Sequence, residues 1–164
     1  MQGSKLGEGC NIGQNVVISP QVLLGRNCKV QNNVSVYTGV TCGDDVFLGP
    51  SCVFTNVVNP RSAVNRKSEY LKTHVGTGAS IGANATIVCG HNIGEYAFIG
   101  AGAVVVEDIP PYALVVGNPS RQIGWMSRMG AKLEFNEDPS GRKIAVCPLG
   151  GEKYLLEDNR VIIL

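Results

Sequence analysis

The chain has 164 residues with 14 Lys+Arg against 13 Asp+Glu, a length for one domain and a net charge of +1 that gives no electrostatic case for nucleic acid or an anionic membrane as main partner. Its 44 % hydrophobic content excludes disorder, so 21 glycines, nearly double the ordinary share of about 7 %, must be structural. From the N-terminus, aliphatic residues recur every six positions at Leu6, Ile12, Ile18, Leu24, Val30 and Val36, and after a slip at Val40, Val46, Cys52 and Val58. A second run holds Val75, Ile81, Ile87, Ile93, Ile99 and Val105. Six is neither a helical nor a simple strand period. Four residues after each start comes a second, smaller residue, such as Cys10, Val16, Val22, Cys28, Val34, Ala79, Ala85, Ala97 and Ala103.

Three residues after each start the chain places Gly or Asn: Gly9, Asn15, Asn27, Asn33, Gly39, Gly43, Gly49, Gly78, Asn84, Gly90 and Gly102. These two residue types most readily take a left-handed backbone, so each hexad carries a bend. Three bent sides close a triangle, and stacked triangles make a parallel β-helix of about five coils, with aliphatic ladders inside and coils ~4.8 Å apart. Cys10 and Cys28 should stack on adjacent coils as a thiol ladder.

Residues 59–74 (NPRSAVNRKSEYLKTH) break the period and should loop out, carrying Arg61, Arg66, Lys67 and Lys72 against one Glu69. Pro110 and Pro111 end the last coil. Residues 120–135 read as a terminal helix interrupted by Gly124 and Gly130, and the remainder as a small strand meander. The expected architecture is all-β: a β-helix domain over 1–119 with loop 59–74, then a helix and strand appendage over 120–164. No apolar run approaches the ~18 residues of a membrane span, and Met1 to Cys10 lack the regions of a signal peptide, so a cytoplasmic location is expected. Six cysteines without a CxxC pair argue against zinc and thioredoxin-like chemistry.

The pattern [LIV]-G-x-x-small-x resembles the hexapeptide-repeat acyltransferases, which implies a left-handed parallel β-helix; the hand comes from the resemblance alone. Residues 99–121 (IGAGAVVVEDIPPYALVVGNPSR) are similar to the last coil and exit of the family's acyl-CoA-dependent members. There the pantetheine arm of the cofactor lies in a groove between neighbours of a homotrimer. The resemblance therefore implies acetyl-CoA binding at Gly102, Ala103, Asn118 and Pro119, with Arg121 at the cofactor phosphates. A bland reading leaves Gly102 and Ala103 as coil-packing residues and Arg121 exposed.

A narrower resemblance covers residues 5–133. It rests on Val34-Ser35-Val36-Tyr37, residues 49–56 (GPSCVFTN), Pro60-Arg61, residues 81–90 (IGANATIVCG) and residues 124–127 (GWMS). It points to nucleotide-sugar 3-N-acetyltransferases that serve surface polysaccharide synthesis. One group takes UDP-2-acetamido-3-amino-2,3-dideoxyglucuronate, the first expectation, and another takes dTDP-3-amino-3,6-dideoxyhexoses. The implied partners are acetyl-CoA and the nucleotide-linked amino sugar.

In that family an Asn at the place of Asn84 lies near the reacting amine, although Asn84 is also in bend register. His74 closes the loop, where a general base could stand. His91 occupies an inward position and should be mostly buried. Arg61, Arg66 and Lys67 could meet phosphates, and Arg26 and Tyr37 could touch the sugar nucleotide. The γ-type carbonic anhydrases resemble the solenoid but bind zinc through three histidines per interface, which two histidines per chain cannot supply at every interface of a trimer. No metal is expected. A non-catalytic assembly subunit is the remaining alternative on this scaffold.

Overall fold

A computed structural model describes residues 2–164. Three parallel sheets form the sides of a prism. The first face stacks Lys5–Leu6, Leu23–Leu24, Val40–Cys42 and Thr73–Val75, and single bridges at Ile93 and Ile109 extend it. The second stacks Asn11–Ile12, Lys29–Val30, Phe47–Leu48, Ser80–Ile81, Phe98–Ile99 and Ala113–Val116. The third stacks Val17–Ile18, Ser35–Val36, Val53–Phe54, Thr86–Ile87 and Val104–Val105. Two faces thus carry six levels where about five coils were expected, because the period persists to Ile109 and Val115 past the last counted hexad.

Register shows how the sequence encodes this. Val30 pairs with Leu48, Leu48 with Ile81, and Ile81 with Ile99, all inside the prism and fully buried. Burying each such side chain contributes about 1.5–3 kcal/mol. The expected slip after Val36 does not occur. Cys42, Leu48 and Phe54 continue the main column, while Val40, Val46 and Cys52 fill the second inward position, and Val58 is 64 % exposed. Both inward positions accept aliphatic residues, so hydrophobicity alone could not fix the phase.

The bends do fix it. Positive φ recurs every six residues from Gly3 through Gly9, Asn15, Gln21, Asn27, Asn33, Gly39, Asp45 and Ser51, then from Gly78 through Asn84, Gly90, Tyr96 and Gly102. Asp45 and Ser51 therefore turn the chain where Gly43 and Gly49 were expected to. Those two glycines serve close approach: a Cβ on Gly49 would stand 2.6 Å from the Ile81 carbonyl oxygen of the next coil.

All six cysteines are free thiols. Cys10 and Cys28 make the same contact one coil apart, Sγ donating to the Gly25 carbonyl at 3.1 Å and the Gly43 carbonyl at 3.2 Å. Burial pushes the Cys28 thiol up to about 11 and Cys52 to about 12, so both stay protonated.

The terminal helix is absent. Arg121–Trp125 is a strand that turns back and pairs antiparallel with Ala113–Val116. The last coil would otherwise leave a row of unpaired backbone groups, and Gly124 and Gly130 would each cost a helix about 1 kcal/mol. Trp125, Met126 and Leu133 close that end of the core. Beyond them lies the expected meander, an antiparallel sheet of Asn136–Glu137, Lys143–Val146, Lys153–Glu157 and Arg160–Ile163. Tyr154 ties it to the prism by accepting the Arg128 N–H at 3.0 Å and packing edge-on against Tyr112. Among the described residues, no helix is long and apolar enough to cross a membrane.

Candidate active site

The candidate residues fall into two groups on opposite sides of the prism. The first runs along the edge between the second and third faces. Asn15, Asn33, Ser51, Asn84 and Gly102 stack there as successive bends, with the Asn84 N–H bonded to the Pro50 carbonyl and the Gly102 N–H to the Ala83 carbonyl. Below Asn84 the column is self-satisfied, since the Asn15 amide donates to Asn33 Oδ1 at 3.2 Å. Asn84 is exposed, its φ is +57°, and among the described residues its side-chain amide bonds nothing. It is thus both a bend and an available hydrogen-bonding group.

Above it, Gly102 has open space around it, with nothing within 4 Å of where a Cβ would stand. Ala103 is fully buried, its N–H bonded to Gly100 and its carbonyl to Thr86, so its methyl faces the core rather than this edge. The Gly117–Ser120 turn crowns the column, with the Val104 N–H bonded to the Gly117 carbonyl and the Ser120 N–H to the Val104 carbonyl. Asn118 and Pro119 are exposed, and the buried Ser120 Oγ has no hydrogen-bond partner among the described residues. Arg121 follows, its guanidinium donating to the Ser120 carbonyl at 2.8 Å and pairing with Glu107 at a loose 3.9 Å, both side chains exposed, so that its remaining N–H groups can meet another anion.

The second group lies on the first face, across the prism from that edge. His74 projects outward from Thr73–Val75 and is exposed; its Nδ1 lies 3.0 Å from Thr41 Oγ1 on the coil below. Its backbone N–H donates to Asn92 Oδ1 at 2.9 Å, and the Asn92 N–H donates to Asp108 Oδ1 at 2.7 Å. Thr41 also lines a cleft of about 430 Å³ between this face and the loop, together with Leu23, Thr38, Lys67, Tyr70 and Lys72. Two ammonium groups and a phenol ring around one cleft suit a ligand that is anionic at one point and flat at another.

Lys67 and Tyr70 also line an adjoining 450 Å³ hollow inside the loop, with Arg61 and Arg66. Arg66 is engaged by Glu69 at 2.8 Å, whereas Arg61 has no carboxylate partner among the described residues. Tyr37 is exposed and immediately precedes the cleft residue Thr38. Arg26 is not brought to either group. It sits at the edge between the first and second faces, paired with Asp44 at 2.8 Å, and holds that carboxyl below the usual carboxylate range. His91 is half-buried, less enclosed than its inward position suggested.

Two family patterns match the chain: the bacterial transferase hexapeptide (six repeats) over residues 3–38, and the hexapeptide repeat of succinyl-transferase over residues 72–107. The chain carries the transferase hexapeptide repeat. Over 90 residues this hexapeptide-repeat chain is 48 % identical to the dTDP-3-amino-3,6-dideoxy-alpha-D-galactopyranose 3-N-acetyltransferase of Aneurinibacillus thermoaerophilus, covering 55 % of this chain and 44 % of that protein. Among solved structures it is similar to a perosamine N-acetyltransferase from Caulobacter crescentus in complex with CoA and GDP-perosamine. The TM-score is 0.64 at 26 % identity, covering 74 % of this chain and 51 % of the other. A maltose O-acetyltransferase from Clostridium difficile 630 gives 0.65 at 29 % identity, covering 75 % and 70 %. The left-handed parallel β-helix is the fold shared with these acetyltransferases. The chain spans about half the length of the curated relatives it matches.

Thr41, Tyr70 and Ser120 were not singled out in the sequence, and Lys72 was read only as one of the loop cations. The one signal that could have found Thr41 and Lys72 is the flanking of loop 59–74, since coils on either side of an insertion must meet beneath it.

Proposed function

We propose that the chain is an acetyl-CoA-dependent N-acetyltransferase acting on the 3-amino group of a nucleotide-linked sugar, of the dTDP-3-amino-3,6-dideoxyhexose type. The observation that carries the reading is the 48 % identity to an enzyme of that name. In the reaction, the neutral amine attacks the thioester carbonyl, the C–N bond forms, the C–S bond breaks and CoA leaves. The surplus ammonium proton passes to His74. Asn84 orients the amine through its amide.

The upper end of the edge fits the cofactor: open space at Gly102 and an exposed Arg121 guanidinium beside the exit turn. Lys67 and Lys72 would face the diphosphate of the sugar nucleotide and Tyr70 its base. Asn84 and His74 cannot meet within one chain, because the edge bearing Asn84 is opposite the face bearing His74. A homotrimer completes the site, with the edge of one subunit against the first face of its neighbour. The product would be made in the cytoplasm as a building block for surface polysaccharide.

A second reading, the UDP-2-acetamido-3-amino-2,3-dideoxyglucuronate type, is favoured by Arg61, a cation in the loop without a carboxylate that a uronate could supply. Incubating the protein with acetyl-CoA and each sugar nucleotide, and following free thiol, separates the two. Thiol release with neither leaves a passive assembly subunit. Arg121→Ala is expected to weaken CoA by about ten- to a hundredfold in calorimetry, the worth of a hydrogen bond between charged groups, and to leave the sugar nucleotide unaffected.

A further inference from the structure

The hydroxyl of Thr41 has one hydrogen and two possible uses for it. On one side is His74 Nδ1 at 3.0 Å; on the other is the 430 Å³ cleft lined by Lys67 and Lys72. With the cleft free of anions, the hydroxyl can donate to Nδ1, which places the ring hydrogen of neutral His74 on Nε2 and leaves no lone pair there. An anion seated between the two lysines is the stronger acceptor and takes the Thr41 hydrogen. Oγ1 then offers only lone pairs toward His74, so Nδ1 must carry the ring hydrogen and Nε2 becomes a base.

We infer that Thr41 is a positioning residue that couples occupancy of the cleft by a phosphate-bearing ligand to the tautomer of His74. The coupling rests on the proposed transferase reading only for its use of His74 as base. Its structural part needs no chemistry: a hydroxyl shared between a cationic cleft and an imidazole nitrogen. The backbone of His74 is meanwhile pinned by Asn92, itself held by Asp108, so the strand stays fixed while the ring hydrogen changes place. The coupling would keep the base unformed until the nucleotide end of the substrate is bound.

Only two histidines exist, so long-range ¹H–¹⁵N spectra resolve the His74 ring, with His91→Gln to assign it. The probe is dTDP, its binding followed in parallel by calorimetry. The expected result is the Nε2–H tautomer in the free protein and the Nδ1–H tautomer at saturating dTDP. Thr41→Val should bind dTDP without the tautomer change, and Thr41→Ser should restore it. In turnover, Thr41→Val should lower kcat roughly tenfold, the weaker end of what a hydrogen bond to a charged group is worth, and leave KM for acetyl-CoA unchanged. Absence of dTDP binding, or binding that leaves the tautomer where it was, overturns the proposal. An unmoved tautomer with brisk thiol release overturns this coupling and leaves the transferase reading standing. A dTDP-driven tautomer change with no thiol release from any sugar nucleotide does the reverse.

Discussion

Asn84→Gly should fold as the parent does and lose turnover by more than His74→Asn, for which a loss at the lower end of the roughly 10²- to 10⁴-fold worth of a general base is expected. Glycine is the informative replacement because Asn84 holds φ at +57°, a bend that glycine tolerates and alanine does not. Asn84→Ala therefore mixes lost stability with lost chemistry, and thermal unfolding of the two variants separates them. Recovery of both stability and turnover in Asn84→Gly would reduce Asn84 to a bend residue. The Asn84 variants are expected to lose more than His74→Asn, since CoA thiolate can accept the amine proton when the imidazole is gone. The reverse order would make proton transfer, rather than orientation, the larger contribution.

Mixing the two inactive variants should restore activity. If each site takes Asn84 from one subunit and His74 from its neighbour, a randomly assembled trimer of equal parts Asn84→Gly and His74→Asn has about a quarter of its interfaces intact, and about a quarter of parental turnover should return. Either variant alone gives none of these intact interfaces. The measurement is turnover after co-unfolding and refolding of the two proteins, with light scattering to verify the trimer. A background-level result in a verified trimer would mean that the two residues do not share a site, and a monomeric mass would remove the intersubunit site altogether.

The six-residue period and the left-handed bends at Asn15, Asn27, Asn33 and Asn84 were legible because each serves a single geometric requirement repeated many times. The phase after Val36 was not. Gln21, Asp45, Ser51 and Tyr96 take positive φ without being glycine or asparagine, and Val40 and Val46 look the same in either inward column. Tertiary completion of the last coil decided the fate of Arg121–Trp125, against a local pattern that suggested a helix. The repeat placed Asn84 and Gly102 among its bends, but their proposed roles and that of the Gly117–Arg121 exit came from the family resemblance of residues 81–90 and 99–121. The face group was only half readable. His74 and Thr41 are 33 positions apart across the loop, so their contact follows from three-dimensional stacking that no local spacing announces.

The coil-to-coil bonds among the side chains outside the loop region join residues 18 apart, as in Asn15 to Asn33 and Arg26 to Asp44. This sets a rule for lengthening or shortening the protein. A single inserted residue within a hexad would turn every later side chain on that coil out of phase with its column, burying polar groups and exposing aliphatic ones. Variation in length is therefore confined to loop 59–74, the exit turn, or the removal and duplication of whole coils. A variant lengthened by one complete coil copied from residues 19–36 should fold with its columns intact, while the same stretch shortened by one residue should not.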